Sequence, residues 1–343
     1  MPDAAAARSL PRRSLFALAS GLALAACGSG GGGGSGGGGT GGGGTGPSPG
    51  PAGPSASGPS GGAPRVVRHA RGESTVPARA ARVVVLDTDA LDSVVTLGLT
   101  PVGATTVAAG APLSAYLPAD RLTGVRTVGT IGAPNLEAIV ALRPDLILSN
   151  QVRDDKRYDE LSKIAPTVLS ATTGPAWKEN ARLHAEALGR QAEASAVEES
   201  YRTKVRELVT ALGGPTKAAA LKVAMARFLA GAPTRLYLND TFVGSLFKDI
   251  GVGRPADQDK PGFSIEISPE QVDKAAADVI FYSVYGDQAK SDHGKIVSGS
   301  LWSGLDAVRN GKVYQVDDNL WMLGIGYTGA GLVLDQIRRS LTA

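Results

Sequence analysis

Cysteine is almost absent from this chain of 343 residues: Cys27 is the only one. A lone thiol makes no internal disulfide, and structural metal sites want several soft or imidazole ligands together. Histidine is scarce as well. His69, His184 and His293 are the three, and they fall far apart, in a first strand, a helix and a loop. A bare-metal site needs clustered histidines and carboxylates, so none is expected, with His293 beside Asp292 the one position to watch. An excess of charge is also missing. The formal net charge is +3, and three arginines and one aspartate within the first 27 residues account for two of those charges, leaving about +1. With no basic run interleaved with aromatics, that balance argues against a nucleic-acid partner. After Ala26 no apolar stretch is long enough to cross a bilayer. There is no phosphate-loop lysine motif, no zincin motif and no nucleophile–base arrangement, so an enzyme reading has no residues to assign, and no cofactor is expected.

The residues around Cys27 give the thiol a purpose. Arg8, Arg12 and Arg13 precede an apolar run from Leu15 to Ala26, which is the charged and then hydrophobic order of an export signal, too short to span. Leu24-Ala25-Ala26-Cys27 resembles a bacterial lipobox, in which the cysteine sulfur receives a diacylglycerol and becomes the mature N-terminus. Arg12-Arg13-Ser14-Leu15-Phe16 also resembles a twin-arginine motif, from which Ala17 departs, and the choice between export routes stays open. From Gly28 to Ala63 the chain is nearly all Gly, Ser, Thr, Pro and Ala. Such a segment carries no charge and nothing large enough for a core, so a disordered tether is expected, with an r.m.s. reach of about 30–36 Å. Gly33-Gly34-Ser35-Gly36-Gly37 formally matches a hydrolase nucleophile elbow, but no strand precedes it and the match is compositional. The thiol is thus read as an anchor point that holds a folded domain near a membrane.

About 280 residues follow position 63, enough for one large domain or two lobes. Short β-rich runs alternate with helical patterns, which predicts an α/β fold. Arg82-Val83-Val84-Val85-Leu86 reads as a buried strand, with Thr88-Asp89 capping a helix to about Leu97. Asn135 is expected to cap a helix over 136–142, Pro144 to end it, and a strand to follow over 145–149. One segment differs: between Glu193 and Leu212, Val197, Tyr201, Val205, Leu208, Val209 and Leu212 recur at helical spacing with charges opposite. A preceding helical run from Trp177 to Leu188 makes this a long helical interruption between two sets of βα units. The expected organisation is a signal at 1–27, a tether at 28–63, an N-terminal α/β lobe at 64–190, a single interlobe helix at 191–213 and a C-terminal α/β lobe at 214–343. In the second lobe, strands are expected near 221–227, 235–238, 278–282 and 312–316, and a final helix near 328–341.

Several phrases then resemble a known family. They are Arg82-Val83-Val84-Val85-Leu86-Asp87, Asn135-Leu136-Glu137-Ala138-Ile139 leading into Arg143-Pro144-Asp145-Leu146-Ile147, and Ser268-Pro269-Glu270. Ala277-Asp278-Val279-Ile280-Phe281 and the passage from Leu301-Trp302 to Lys312-Val313-Tyr314 continue in order. Together they are similar to the siderophore and vitamin B12 substrate-binding lipoproteins of ABC importers, the periplasmic-binding-protein class with a rigid interlobe helix. Among subgroups the iron-siderophore binders of high-GC Gram-positive bacteria are most similar. The resemblance implies a ligand cleft between the lobes, a ferric siderophore as ligand, and an ABC permease with its ATPase as partners. It also implies a monomer, lipid-anchored on the outer face of the cytoplasmic membrane. The same fold binding haem or a corrinoid is an alternative. An exported hydrolase of envelope polymers and a receptor domain without a transport role are readings from other classes.

Open α/β sheets bind ligands beyond the carboxyl ends of their strands. Polar and aromatic residues expected there include Thr88, Asp89, Thr106, Asn150, Arg153, Arg227, Tyr282, Ser283 and Tyr285. Arg227 stands out, because it follows the apolar strand Val223-Ala224-Met225-Ala226 and is expected to contribute most to binding. The alternative is an arginine paired with a nearby carboxylate. Arg153 is followed by Asp154 and Asp155, and Arg235 begins a strand; both are expected to contribute less. Family position favours all three near the cleft, where an arginine fork would donate to carboxylate, catecholate or hydroxamate oxygens. Trp302, Trp321, Tyr285 and Tyr327 are candidates for apolar walls, with core packing as the alternative for each. Glu137 and Glu270 each open a helix, where a carboxylate is favoured by the dipole alone. The resemblance gives them a second role, docking one lobe each to arginines of the permease.

Overall fold

The computed structural model describes residues 63–342; Cys27 and all but the last residue of the tether lie outside the described residues. The chain begins with an antiparallel hairpin of β1 (Arg65–His69) and β2 (Gly72–Val76). The next strands are β3 (Val83–Val85), β4 (Gly103–Thr106), β5 (Arg126–Thr130), β6 (Ala133–Pro134), β7 (Leu146–Asn150) and β8 (Thr167–Ser170). They form one sheet in the order β6-β5-β4-β3-β7-β8. All pairings are parallel except that of the short edge strand β6 with β5. β3 and β7 are buried along their whole length, because helices cover both faces of a parallel sheet, and their sequences accordingly run apolar without alternation.

Strands β9 (Val223–Leu229), β10 (Ala232–Tyr237), β11 (Ser264–Ile267), β12 (Val279–Tyr285) and β13 (Val313–Gln315) build the second sheet. Its order is β11-β10-β9-β12-β13, with β9-β12 and β12-β13 parallel and the β9-β10 and β10-β11 pairs antiparallel. The mixed character comes from a tight reversal after β9, where Gly231 takes φ 72, a left-handed conformation that glycine adopts without steric cost. The chain therefore doubles back at once instead of crossing over through a helix. As a result β9 runs two residues past Arg227, beyond the end expected from sequence.

Between the sheets lies the helix Gln191–Ala211, 21 residues long and so about 31 Å in length. Its Ala194 packs on the first lobe's core, and Val197, Tyr201, Val205, Leu208 and Val209 pack on the second lobe's core, which is the stripe the sequence period predicts. The helices Trp177–Leu188 and Tyr327–Thr342 flank it, and Lys204 on it pairs with Asp335 at 2.7 Å. The two lobes and these helices belong to one compact unit.

Candidate ligand-binding cleft

The parallel strands of the first lobe all end toward the second lobe, and the residues just past them meet a cavity of about 380 Å³. That volume lies within the range of small-molecule sites. From the first lobe come Asp87 and Thr88 after β3, Ile131 after β5, Arg153 after β7, and Thr172 and Thr173 after β8. The second lobe supplies Arg227 from β9, Tyr237 from the end of β10, Asp240, Phe242 and Val243, then Phe263 ahead of β11. Trp321, Met322, Leu323 and Ile325 close the wall from the helix Asp318–Leu323 and the turn behind it.

Arg153 is held from below. The strand β7 ends at Asn150, which caps the short helix Gln151–Asp154 by accepting from the Arg153 backbone N–H at 3.1 Å. That fold-back aims the Arg153 side chain at Asp87, whose Oδ2 accepts from Arg153 Nε at 3.0 Å and from Asn150 Nδ2 at 2.6 Å. The other Asp87 oxygen accepts from the Thr88 backbone N–H at 2.7 Å. Asp87, and not Thr88 or Asp89, is therefore the cap of the first-lobe helix Thr88–Thr96, because the chain is still extended when it leaves β3. Asp87 is buried while the Arg153 side chain is 40% exposed. Among the described residues the two terminal nitrogens of Arg153 have no hydrogen-bond partner. Behind this floor Asp89 is buried against Asn180, and burial together with the neighbouring Asp87 pushes its carboxyl up to about 7.

Arg227 is gripped more completely. Its Nε donates to Asp318 Oδ1 at 2.7 Å and its Nη2 to Asp318 Oδ2 at 2.5 Å, and its Nη1 donates to the Tyr237 hydroxyl at 3.2 Å. Ser283, opposite Arg227 on β12, donates to the same carboxylate at 2.8 Å. The Tyr285 ring covers the guanidinium at 4.7 Å from its centroid. Arg227 thus lines the cavity and is ion-paired to Asp318. Its partner lies 91 residues away, at the first turn of a helix after β13, and no local pattern links the two.

The remaining candidates separate. Trp321 is fully buried, lines the cavity and donates its indole N–H to Gln336 at 2.6 Å. Tyr285 stands beside the cavity over Arg227 and is exposed. Arg235, which faces Arg227 across β9-β10, pairs with Glu266 at 3.1 Å on the outer side of the hairpin and does not line the cavity. Trp302 is not brought to the cleft either: it packs into the core on the far face of the second sheet with Phe228, Ile280 and Ile296, and Tyr282 stacks edge-on against it. An alternating strand sends Phe228 and Tyr282 to the face opposite Arg227 and Ser283. Tyr327 packs edge-on between Trp177 and Tyr201 and faces a separate hollow beside the interlobe helix, with Arg182 and Glu198. Burial raises its hydroxyl to about 12. Glu137 is exposed in the first turn of the helix Leu136–Ala141, capped by Asn135. Glu270 is exposed too, but in a 3₁₀ segment, Pro269–Ala275, closed by a capping box from Ser268 and Gln271. The sequence reading did not pick out Asp318, Tyr237, Phe263 or Met322. Phe263, preceded by Pro261-Gly262 and left exposed among polar neighbours, is the one that sequence signal marks.

Among the described residues no group of three His, Cys, Asp or Glu side chains is placed to hold a metal ion. His184 is buried against Ser93 at 2.9 Å, which lowers it to about 4, and His293, the first residue of the helix His293–Val297, packs edge-on against Phe228. Among the described residues no helix is long and apolar enough to cross a membrane.

The family model described as "Periplasmic binding protein" matches residues 83–320. The "Probable siderophore-binding lipoprotein YfiY" of Bacillus subtilis is 37% identical over 286 residues, covering 80% of this chain and 86% of that protein. The "Putative ABC transporter substrate-binding lipoprotein YhfQ" of the same organism is 30% identical, covering 81% and 88%. The crystal structure of Staphylococcus aureus SirA complexed with staphyloferrin B superposes with a TM-score of 0.73 at 32% identity, over 81% of this chain and 98% of that one.

Proposed function

The chain belongs to the periplasmic binding protein family, and from that premise we propose that it captures a ferric siderophore outside the cytoplasm and hands it to an ABC importer. The observation that carries this reading is the cleft: one arginine from each lobe, Arg153 and Arg227, faces a shared cavity whose other walls are largely apolar. A ferric siderophore keeps its metal fully wrapped in its own oxygens, so a binding protein needs no iron ligand of its own. What it needs is a shaped, partly apolar bowl with a few oriented donors, and fixed guanidinium forks provide these. The names of YfiY and SirA's bound compound point the same way.

Preorganisation supports the reading as well. Asp87 and Asp318 fix the two guanidinium groups before any ligand arrives, which lowers the ordering cost of binding. Trp321 in the cavity wall gives a direct assay. Titrating ferric siderophores into the purified protein should quench its tryptophan fluorescence saturably, and the protein should elute from a sizing column with the colour of the chelate. If a folded protein, verified by circular dichroism, binds no ferric chelate from a panel of hydroxamates, catecholates and carboxylates, the reading is wrong.

The finer assignments follow from it. Cys27 carries the lipid, the segment to residue 63 tethers the folded part to the outer face of the cytoplasmic membrane, and the protein acts as a monomer. Glu137 and Glu270 form the docking points for the permease. Their exposure supports this, since a docking carboxylate must be reachable.

A further inference from the structure

We infer that the cleft selects ferric chelates of net charge close to zero, as hydroxamate-type siderophores form, and disfavours the trianionic complexes of tricatecholates. The inference rests on the ferric-siderophore reading above and narrows it. Two guanidinium groups face the cavity, and each has a carboxylate buried directly behind it. Asp87 lies 3.0 Å from Arg153, and Asp318 binds Arg227 through two contacts at 2.7 and 2.5 Å. A third carboxylate, Asp240, lines the cavity and accepts from the Gly262 backbone N–H at 2.7 Å. Among the described residues it has no ion-pair partner. Two cations thus face three carboxylates, and the cleft has no surplus of positive charge.

A trianion entering such a site would give up its hydration without meeting a net opposing charge, and the apolar walls of Phe242, Val243, Phe263 and Trp321 would strengthen every repulsion from the aspartates. An uncharged ferric trihydroxamate makes a different demand. Its outward oxygens are good acceptors, and the terminal N–H groups of Arg153, together with the Tyr237 hydroxyl, can satisfy them without any net attraction. The ion pairs turn both arginines from point charges into aimed donors, suited to recognising shape and oxygen placement.

The test compares two probes on the full chain by tryptophan quenching: the uncharged ferric complex of a cyclic trihydroxamate peptide and the trianionic ferric complex of a tripodal tricatecholate. The trihydroxamate should bind at least about tenfold more tightly, a difference of about 1.4 kcal/mol, with an affinity nearly independent of salt. Shape alone could produce such a preference, so charge is varied at fixed shape. Asp318→Asn, and independently Asp240→Asn in its exposed turn, should shift the affinity ratio toward the tricatecholate by about tenfold or more. The Asp240 variant serves if loss of the Arg227 partner unfolds the protein. Equal or tighter tricatecholate binding by the parent, or an unchanged ratio in the folded variants, overturns the inference and leaves the siderophore reading standing. Failure of both probes overturns the inference, and failure of every other ferric chelate as well overturns that reading with it.

Discussion

At the scale of single residues, the arginines of the cleft differ in what their loss should do. Arg227 and Asp318 are 12% and 9% exposed, so removing either partner strands a buried charge. Arg227→Ala should therefore cost about 3–5 kcal/mol of stability, read as a lowered urea midpoint. Much of that cost should vanish in the double variant Arg227→Ala/Asp318→Asn, since no carboxylate is then left unpaired. Additive losses would mean that the pair is not coupled. Arg153→Ala should behave in the opposite way. Asp87 keeps its bonds from Asn150 and the Thr88 backbone, so the fold should tolerate the change, while ferric-chelate affinity should fall about tenfold for the loss of a charged donor. The sequence places Arg227 first for binding, but it does not show that Arg227 is locked to a buried carboxylate while Arg153 keeps free donors among the described residues. That Arg227 is unusual in an apolar strand is visible in Val223-Ala224-Met225-Ala226, but Asp318 reaches it only because β9, β12 and the helix after β13 converge.

At the scale of elements, the start of the last helix, Tyr327–Thr342, is fixed by the first lobe. Asp92 on Thr88–Thr96 accepts from the backbone N–H groups of Thr328 at 3.2 Å and Gly329 at 3.0 Å, and from the Thr96 hydroxyl at 3.0 Å. Thr96 and Thr328 join hydroxyl to hydroxyl at 2.6 Å. The approach is close enough that a Cβ on Gly329 would lie 1.8 Å from the Gly324 carbonyl oxygen. Gly329→Ala should force the helix start away from its seat and cost about 1–3 kcal/mol or more, measurable by thermal unfolding. Asp92 adds a pH dependence. Burial raises its carboxyl to about 6 from 3.8, so the folded state holds the proton more tightly than the unfolded chain. The resulting stability is complete below about pH 4 and disappears as pH rises through 6, about 3 kcal/mol in all. Asp92→Asn should lack that slope, so its stability relative to the parent should rise between about pH 4 and about pH 8. Asp89 and His184 titrate in both proteins and cancel in the comparison. Parallel pH profiles would show that Asp92 is not the titrating group. Helix period made most of this layer readable: Trp177–Leu188 matches its expected bounds. The strands of the β9-β10 hairpin were harder to bound, because the reversal at Ala230-Gly231 follows an apolar run that continues past Arg227.

At the scale of the whole molecule, the predictions concern anchoring and delivery. Cys27→Ser should move the protein from the membrane fraction to the soluble fraction and abolish labelling by a radioactive fatty acid. Membrane retention of that variant would refute the anchor. Replacing Glu137 and Glu270 together by Ala should leave chelate affinity intact and reduce iron uptake in cells. Both side chains are exposed, and a carboxylate at a helix start is worth only about 0.3–1 kcal/mol, so the variant should stay folded. Normal uptake would reduce both to ordinary helix starts.

By itself the sequence determined the alternation of strands and helices, the long bridging helix and the family, because composition, period and phrase order are local properties of a chain. It also put Arg153, Arg227 and Trp321 among the candidates, since residues just past buried strands tend toward a cleft. Only the tertiary structure decided that Trp302 packs on the opposite face of the second sheet, that Tyr327 packs between Trp177 and Tyr201 beside the long helix, and that Arg235 answers Glu266 instead of the cavity. It alone decided the electrostatics of the site. A guanidinium is a charge or a neutralised donor according to the carboxylate within about 3 Å of it, and Asp87 and Asp318 reach their arginines across 66 and 91 residues of sequence, a distance that only folding closes.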